Sequence, residues 1–469
     1  MSPIEAAVFA QRELETLRLG DVRRDRRATQ VLAGLLGASD SSIAAQNVEA
    51  AATKGSYRLL ENNDVSYLAV SEAHACQTIE RARQHDVVLA VQDTTGVSLG
   101  GLKQADGLGP ITDAKGSRGY LVHSTLIVEP NSGEVLGVAA QQVWVRSGTK
   151  KPKKERPDQR KNRSRESEIW PKGQRDVATA FGRTEVEGGG WSPAATGDPH
   201  VIAVFDREGD IFEAFEALNE LDHGFVIRAV HNRLLVGEDR KYSLDAVASE
   251  RPIGQYRVDV PRKAGGKARE AELTARTLRV QVRPPKNRGR KGRPQSLTIV
   301  LVREETPPPG EPGLCWYLVT TESASTAEEV QRIIQIYRLR WLIEEFHMGL
   351  KTGVGIEQRQ FESFQVHRRF LAFATIAAWQ LLALRHAART DAARPATALL
   401  SNIQLAIIRS RLPKLPKSPT VREAYRGLAM LGGFMGRKGD GEPGWRTLWR
   451  GFAYLAAAEA GYLFAKMEG

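Results

Sequence analysis

The sequence predicts an α/β core framed by helical segments at both ends. Short β-branched runs, Val87 to Val91 and Val201 to Phe205, read as buried strands. Helical periodicities alternate with such runs, and strands mixed with helices make an α/β layer. Residues 1–69 and everything after about 368 carry helical patterning instead.

The elements follow in order. Ile4 to Leu17 is patterned as an amphipathic helix. Arg18 and the cluster Arg23, Arg24, Arg26 and Arg27 come next, and the helix bearing the last four continues through Val31, Leu32, Leu35 and Leu36. Lys54 and Arg58 add charge. A solvated basic face explains these residues as readily as a polyanion site does. A helix from Ser71 to Gln84 leads to the strand Val87–Val91. Tyr120 to Val128 and Gly137 to Val145 alternate as two more strands. After Val201–Phe205 come a helix over Ile211–Leu221 and a strand over Phe225–Arg228. Residues 229–329 are β-rich, in the manner of an insertion, and give way to one long helix, Glu328–Lys351. The domain boundaries predicted are 1–69, 70–228, 229–329, 330–367 and 368–469. The basic, Pro-rich stretch Ser147–Arg165, the glycines 188–190 and the basic stretch Arg262–Arg293 are expected to be exposed and mobile.

Composition narrows the partners. Among 469 residues, 67 Lys and Arg face 55 Asp and Glu, a net charge of +12. That surplus favours polyanions such as nucleic acid or an anionic membrane. Phe370–Leu384 is the most apolar stretch, but it is shorter than the roughly 20 residues a span needs, and Thr375 and Gln380 interrupt it. It is expected to be a buried helix, with no membrane partner. The start lacks the basic and apolar regions of a signal peptide. Cys76 and Cys315 are two isolated thiols, which suits a reducing cytoplasm.

Three carboxylates are the candidates for carrying chemistry. Asp93 is expected to close its strand, and Asp206 ends the strand before Arg207-Glu208-Gly209-Asp210. Carboxyl ends of strands form the rim where α/β sheets build sites, although a strand-end Asp also caps the next helix. On a continuous helix, Arg340, Glu344 and Lys351 fall within about 40° of one another, with Tyr337 beside them. Leu339, Ile343, Phe346 and Leu350 make a separate apolar stripe, and Glu345 points away from the Glu344 face. A salt-bridged surface helix is the plainer alternative.

The segment Tyr337-Arg338-Leu339-Arg340 through Glu344 to Lys351 resembles the Tyr-x2-Arg-x3-Glu-x6-Lys signature of the IS-four family of bacterial transposases. Asp93-Thr94-Thr95 and Asp206-Arg207-Glu208-Gly209-Asp210 match the other two family motifs in order. The likeness extends to Leu19-Gly20-Asp21, Gly55-Ser56-Tyr57-Arg58, Ser117-Arg118-Gly119, Leu431-Gly432-Gly433-Phe434 and Pro443-Gly444. The Ser147–Arg165 loop departs from it, being longer and more basic.

The resemblance implies a ribonuclease H-like core with a β-rich insertion, an N-terminal domain for transposon ends and a helical C-terminal region that pairs two subunits. It implies a nucleoid-associated enzyme of the bacterial cytoplasm, a homodimer on paired ends of double-stranded DNA. Asp93, Asp206 and Glu344 would be catalytic, holding two Mg²⁺ ions with Mn²⁺ as substitute. Tyr337, Arg340 and Lys351 would contact phosphates, and Trp316 would stack on a flipped base. Arg23, Arg24, Arg26, Arg27 and Arg58 would bind the DNA end. The expected reaction is cut and paste: 3′-strand nicking, hairpin formation and opening, then strand transfer into target DNA. The alternatives are a nuclease of the same fold that cuts without joining and a decayed, DNA-binding repressor.

Overall fold

The computed structural model describes residues 3–37, 42–44, 46, 49–102, 104–112, 116–147, 166–187, 189–237, 242–260, 269–285, 292–311, 313–398, 400–437 and 440–468. Most of the Ser147–Arg165 stretch, Gly188, and residues 262–268 and 286–291 of the second basic stretch lie outside these.

The strands are β1 (Val87–Ser98), β2 (Gly109–Pro110), β3 (Arg118–Val128), β4 (Val135–Trp144), β5 (His200–Phe205), β6 (Gly224–Arg228), β7 (Gly254–Val260), β8 (Arg269–Val282), β9 (Gln295–Arg303) and β10 (Cys315–Thr320). They form a ten-stranded mixed sheet in the order β2-β3-β1-β5-β6-β10-β9-β8-β7, with β4 paired to β3. The succession β4-β3-β1-β5-β6, a hairpin followed by strands parallel to β1, has the topology of a ribonuclease H-like core. The chain divides into two compact units, and β1 contributes to both.

One unit comprises Met1–Ala82, Thr94–Lys153 and Leu342–Gly469. Its axis is the helix Phe364–Thr390, long and apolar enough to cross a membrane by composition, yet 67% buried over its most apolar window. It is a core helix, as the interrupting Thr375 and Gln380 suggested. Trp379 donates its indole N–H to the Val135 carbonyl at 2.7 Å, and the Arg81 guanidinium lies 4.4 Å above its ring. Arg369, almost fully buried, donates to the Leu60 and Val65 carbonyls and to Asn63, tying the N-terminal helices to this core. Buried Glu13, at the end of helix Pro3–Glu13, pairs with His74 and Arg81 on helix Tyr67–Ala82. Those two partners hold the Glu13 carboxyl down at about 2 against the opposing effect of its burial.

The other unit comprises Arg83–Asp93 and Lys154–Trp341. β1 runs parallel to β5 from Val87↔His200 to Val91↔Val204, and β5 runs parallel to β6. The helices Ile169–Ala180 and Phe212–Glu220 cover one core, where Trp170 meets Phe205 at 5.0 Å and Phe215 stacks on Phe225 at 5.3 Å. The β-rich segment continues the sheet: β10 pairs antiparallel with β6, and β9, β8 and β7 follow, each antiparallel to the last.

Several predicted boundaries move. The helix begins at Tyr67 and ends at Ala82, whereas Ser71–Gln84 was expected. Within the basic stretch Arg262–Arg293, expected to be exposed and mobile around strand-like segments, residues 269–282 form one full strand, β8. Asp93 does not close its strand, because β1 runs on to Ser98. The apolar run stops at Val91, but Thr94, Thr95 and Val97 are themselves good strand formers, so the pleat continues.

The largest correction concerns the long helix. It is two helices, Ala327–Arg338 and Trp341–Met348, followed by a π turn over Gly349–Gly353. The first opens on a capping box between Thr326 and Glu329. At the joint the Arg340 N–H bonds to the Tyr337 carbonyl, three residues back, tightening the turn to 3₁₀. The 100° wheel therefore does not extend from Arg340 to Lys351. The apolar stripe survives at Ile343, Phe346 and Leu350, all fully buried, with Leu339 half-buried.

Candidate active site and nucleic-acid interface

Asp93 and Asp206 belong to the same unit, on neighbouring parallel strands. Each stands two residues beyond the last paired position, Val91↔Val204, so the two are level on adjacent chains. Asp206 also caps: its Oδ1 accepts the Glu208 N–H at 2.8 Å, opening the 3₁₀ turn Arg207–Gly209. The two roles are compatible, since Oδ2 makes no hydrogen bond among the described residues. The last acid of the motif, Asp210, is structural. Fully buried, it accepts the Val230 and His231 N–H groups and pairs with Arg233 at 2.6 Å, pinning the chain after β6.

Tyr337 gathers around Asp206. Its ring is buried and lies edge-on to the half-buried Trp316, centroids 5.6 Å apart. Its phenol pKa is raised by burial; Arg340 and Arg228 oppose that, Arg228 also by a hydrogen bond, and Asp206 adds to it. The structure thus brings Asp206, Tyr337, Arg340 and Trp316 together and adds Arg228, which the sequence reading missed. Arg228 ends β6, the strand beside the one that Asp206 ends, so the strand-end rim was the available signal.

In the other unit, Thr94 directly follows Asp93 and its hydroxyl lies 2.8 Å from His123 Nδ1. His123 on β3 is fully buried, which pulls its pKa down to about 3. His347, one turn after Glu344, is likewise pulled to about 3 by burial and then by Lys351 and His123. Both imidazoles are neutral at physiological pH, leaving Lys351 as the cation of this group. Glu344 is half-buried, and its neighbour Glu345 makes the ion pairs to Arg385 and Arg389.

Carboxylate oxygens are the donor set that Mg²⁺ and Mn²⁺ take. Asp206 has an oxygen to offer, and Asp93 stands, as Asp206 does, two residues past the last paired position of the two strands. Among the described residues, no three His, Cys, Asp or Glu side chains are grouped closely enough to hold an ion.

The N-terminal arginines are not equivalent. Arg23 is held by Asp21 at 2.8 Å, and Arg24 reaches Asp64 at 2.6 Å and the Leu19 carbonyl. Arg27 packs on Gly55, where an added Cβ would come 2.8 Å from its guanidinium. Arg26 is exposed. Helix Ala50–Glu61 presents Lys54, Tyr57, Arg58 and Glu61 at i, i+3, i+4 and i+7 along one open groove, with the first three exposed.

The comparisons with known proteins match both ends of the chain. Residues 6–65 match the family model described as transposase DNA-binding, and residues 376–468 match the transposase Tn5 dimerisation domain. The two domain descriptions are those of a transposase that binds DNA and pairs with a second copy, and they support reading the chain as a DNA transposase. More particularly, the C-terminal match is to a domain of the Tn5 transposase, so the chain is similar to Tn5-type transposases at that end. Among solved structures, the piggyBac transposase synaptic complex with hairpin DNA is similar at 8% identity over 83% of this chain and 76% of that one. Its TM-score of 0.33 carries no argument.

Proposed function

We propose that the chain excises and inserts its own element by cut and paste, with Asp93, Asp206 and Glu344 as the catalytic carboxylates holding two Mg²⁺ or Mn²⁺ ions. The carrying observation is the placement of Asp93 and Asp206 level on neighbouring parallel strands, in a chain whose ends match DNA-binding and dimerisation domains. Ions bound there would activate water and stabilise the leaving oxyanion.

The remaining groups suit a phosphodiester substrate. Arg340 and Arg228 provide forked donors for phosphate oxygens, Lys351 a point charge, and Tyr337 a phenol fixed by burial. Trp316 offers an indole face to an extruded base. Lys54, Tyr57 and Arg58, with Arg26 and the exposed Arg23, form the surface for the element's ends, while Arg24 links to Asp64 and Arg27 packs on Gly55. Nicking frees a 3′-OH, which attacks the opposite strand to form a hairpin. Water opens the hairpin, and the 3′-OH then attacks target DNA. Nicking and hairpin opening hydrolyse one phosphodiester bond with water, while hairpin formation and strand transfer exchange one phosphodiester bond for another, so no nucleotide hydrolysis is needed. Burial holds His123 and His347 neutral across ordinary pH, and the Thr94 hydroxyl lies at hydrogen-bond distance from His123 Nδ1.

The test is a donor plasmid carrying the DNA that flanks the gene, incubated with the purified chain, Mg²⁺ and a target plasmid. Hairpin-ended flanks and target insertions are expected. Cuts with no insertions would favour the nuclease reading, and binding with no cuts the repressor reading.

A further inference from the structure

Glu345 is joined to the dimerisation segment through a largely buried ion pair. Its Oε1 lies 3.3 Å from Arg385 Nη1 and 3.3 Å from Arg389 Nη1, and the Glu345 and Arg385 side chains are only 12% and 10% exposed. Arg385 is in turn held from several sides by the segment matched as the Tn5 dimerisation domain. Its guanidinium lies 4.6 Å above the ring of Trp445, which opens helix Trp445–Glu468, and it interacts with Tyr425 on helix Val421–Leu431. Burial pushes the Tyr425 phenol up to about 12, so it stays a neutral neighbour.

The helix carrying Glu344 needs such a tether. Trp341–Met348 has eight residues, with a 3₁₀ joint before it and a π turn after it. The joint breaks the continuous turn of the preceding helix Ala327–Arg338. Ile343 and Phe346 bury one face, while Glu345 anchors another. The π turn leans on the same segment: a Cβ added at Gly349 or Gly353 would come 3.7 Å from the rings of Trp445 or Trp449. Successive residues on a helix differ by about 100°, so a small rotation displaces Glu344 directly.

We propose that Glu345 is a positioning residue whose pairing with Arg385 and Arg389 sets the orientation of Glu344, making strand cleavage depend on the folded dimerisation segment. This rests on Glu344 being catalytic. Removing one member of a buried pair strands the other charge and destabilises on that account alone. The informative variant therefore removes both charges, Glu345→Gln with Arg385→Met, and Glu345→Asp serves as the conservative comparison.

The experiment uses the full chain and a DNA fragment bearing the element's end. It reads melting temperature, end-binding Kd and the single-turnover nicking rate of preassembled end complexes. The double variant should keep its fold and bind ends within about twofold, while nicking falls about 10- to 100-fold, the cost of misplacing a reacting group by an ångström or less. Glu345→Asp should recover most of the rate. A double variant that nicks at the native rate overturns the proposal. So does one that loses stability, end binding and nicking in equal proportion, with Glu345→Asp no better than Glu345→Gln. Glu344→Gln is run alongside: if it nicks normally, the catalytic assignment itself fails, whatever the Glu345 variants do.

Discussion

Asp93 and Asp206 stand level with each other, two residues past the last paired position of β1 and β5. Parallel neighbours lie about 4.8 Å apart, so the register of β1 and β5 carries both residues to one level of the sheet. Asp206 is further steadied by its hydrogen bond to the Glu208 N–H.

That bond separates folding from chemistry in a single substitution. Asp206→Asn keeps an oxygen to accept the Glu208 N–H and loses only the charge. Nicking, hairpin formation and joining should all fall by more than about 100-fold, with melting temperature and end binding close to native. Asp93→Asn should behave alike. A variant that still nicks but cannot join would show that the steps do not share one site.

The N-terminal surface should divide by partner. Lys54→Ala and Arg58→Ala should each weaken end binding and lower the salt slope by about one, because one DNA phosphate is no longer neutralised. Arg24→Ala should act first on stability, since its guanidinium links Asp64 to the Leu19 carbonyl. Equal salt slopes for all three variants would sink this division.

Arg369 tests how the N-terminal helices are held. Arg369→Ala would leave the Leu60 and Val65 carbonyls without their donor, at about 1–3 kcal/mol for each that water does not reach. Thermal unfolding should shift down, and protease sensitivity should rise in residues 1–65 before the rest of the chain. Unchanged stability would mean that water replaces the guanidinium freely.

Trp316 is half-buried against Tyr337, so its removal should cost less than the roughly 3–5 kcal/mol of a fully buried aromatic. Trp316→Ala should make the first nick near the native rate and stall at the hairpin, with partial rescue by an abasic site at the flipped position. A uniformly slow, strongly destabilised variant would return the indole to a packing role.

Acid should destabilise the fold in two stages. Burial pulls His123, His223 and His347 down to about 3 and His367 to about 4. The unfolded chain takes up these protons near pH 6.5 while the folded chain refuses them, so stability is lost as pH falls from about 6.5 towards 3. Glu13, held at about 2 when folded, adds stability that is present above its ordinary value of 4.5 and lost below it. Melting temperature should therefore begin to fall near pH 6.5. A curve that stays flat down to pH 4.5 would contradict neutral buried histidines.

The sequence by itself determined the α/β class, the helical ends and the identity of the motif residues. Strand runs such as Val87–Val91 and Val201–Phe205 are buried from both sides, so their apolar composition alone marks them. It also marked Phe370–Leu384 as core, because polar Thr375 and Gln380 suit a packed helix better than lipid. Tertiary structure decided what local pattern does not encode. The level placement of Asp93 and Asp206 depends on the register between strands more than a hundred residues apart in sequence. Arg228 joined Tyr337 and Asp206 through sheet order, and Arg23 and Arg24 were claimed by acids that no charge count could assign. The break at Leu339–Arg340 was hidden because hydrophobic periodicity passes through it almost unchanged, whereas the backbone follows hydrogen bonds that only packing selects.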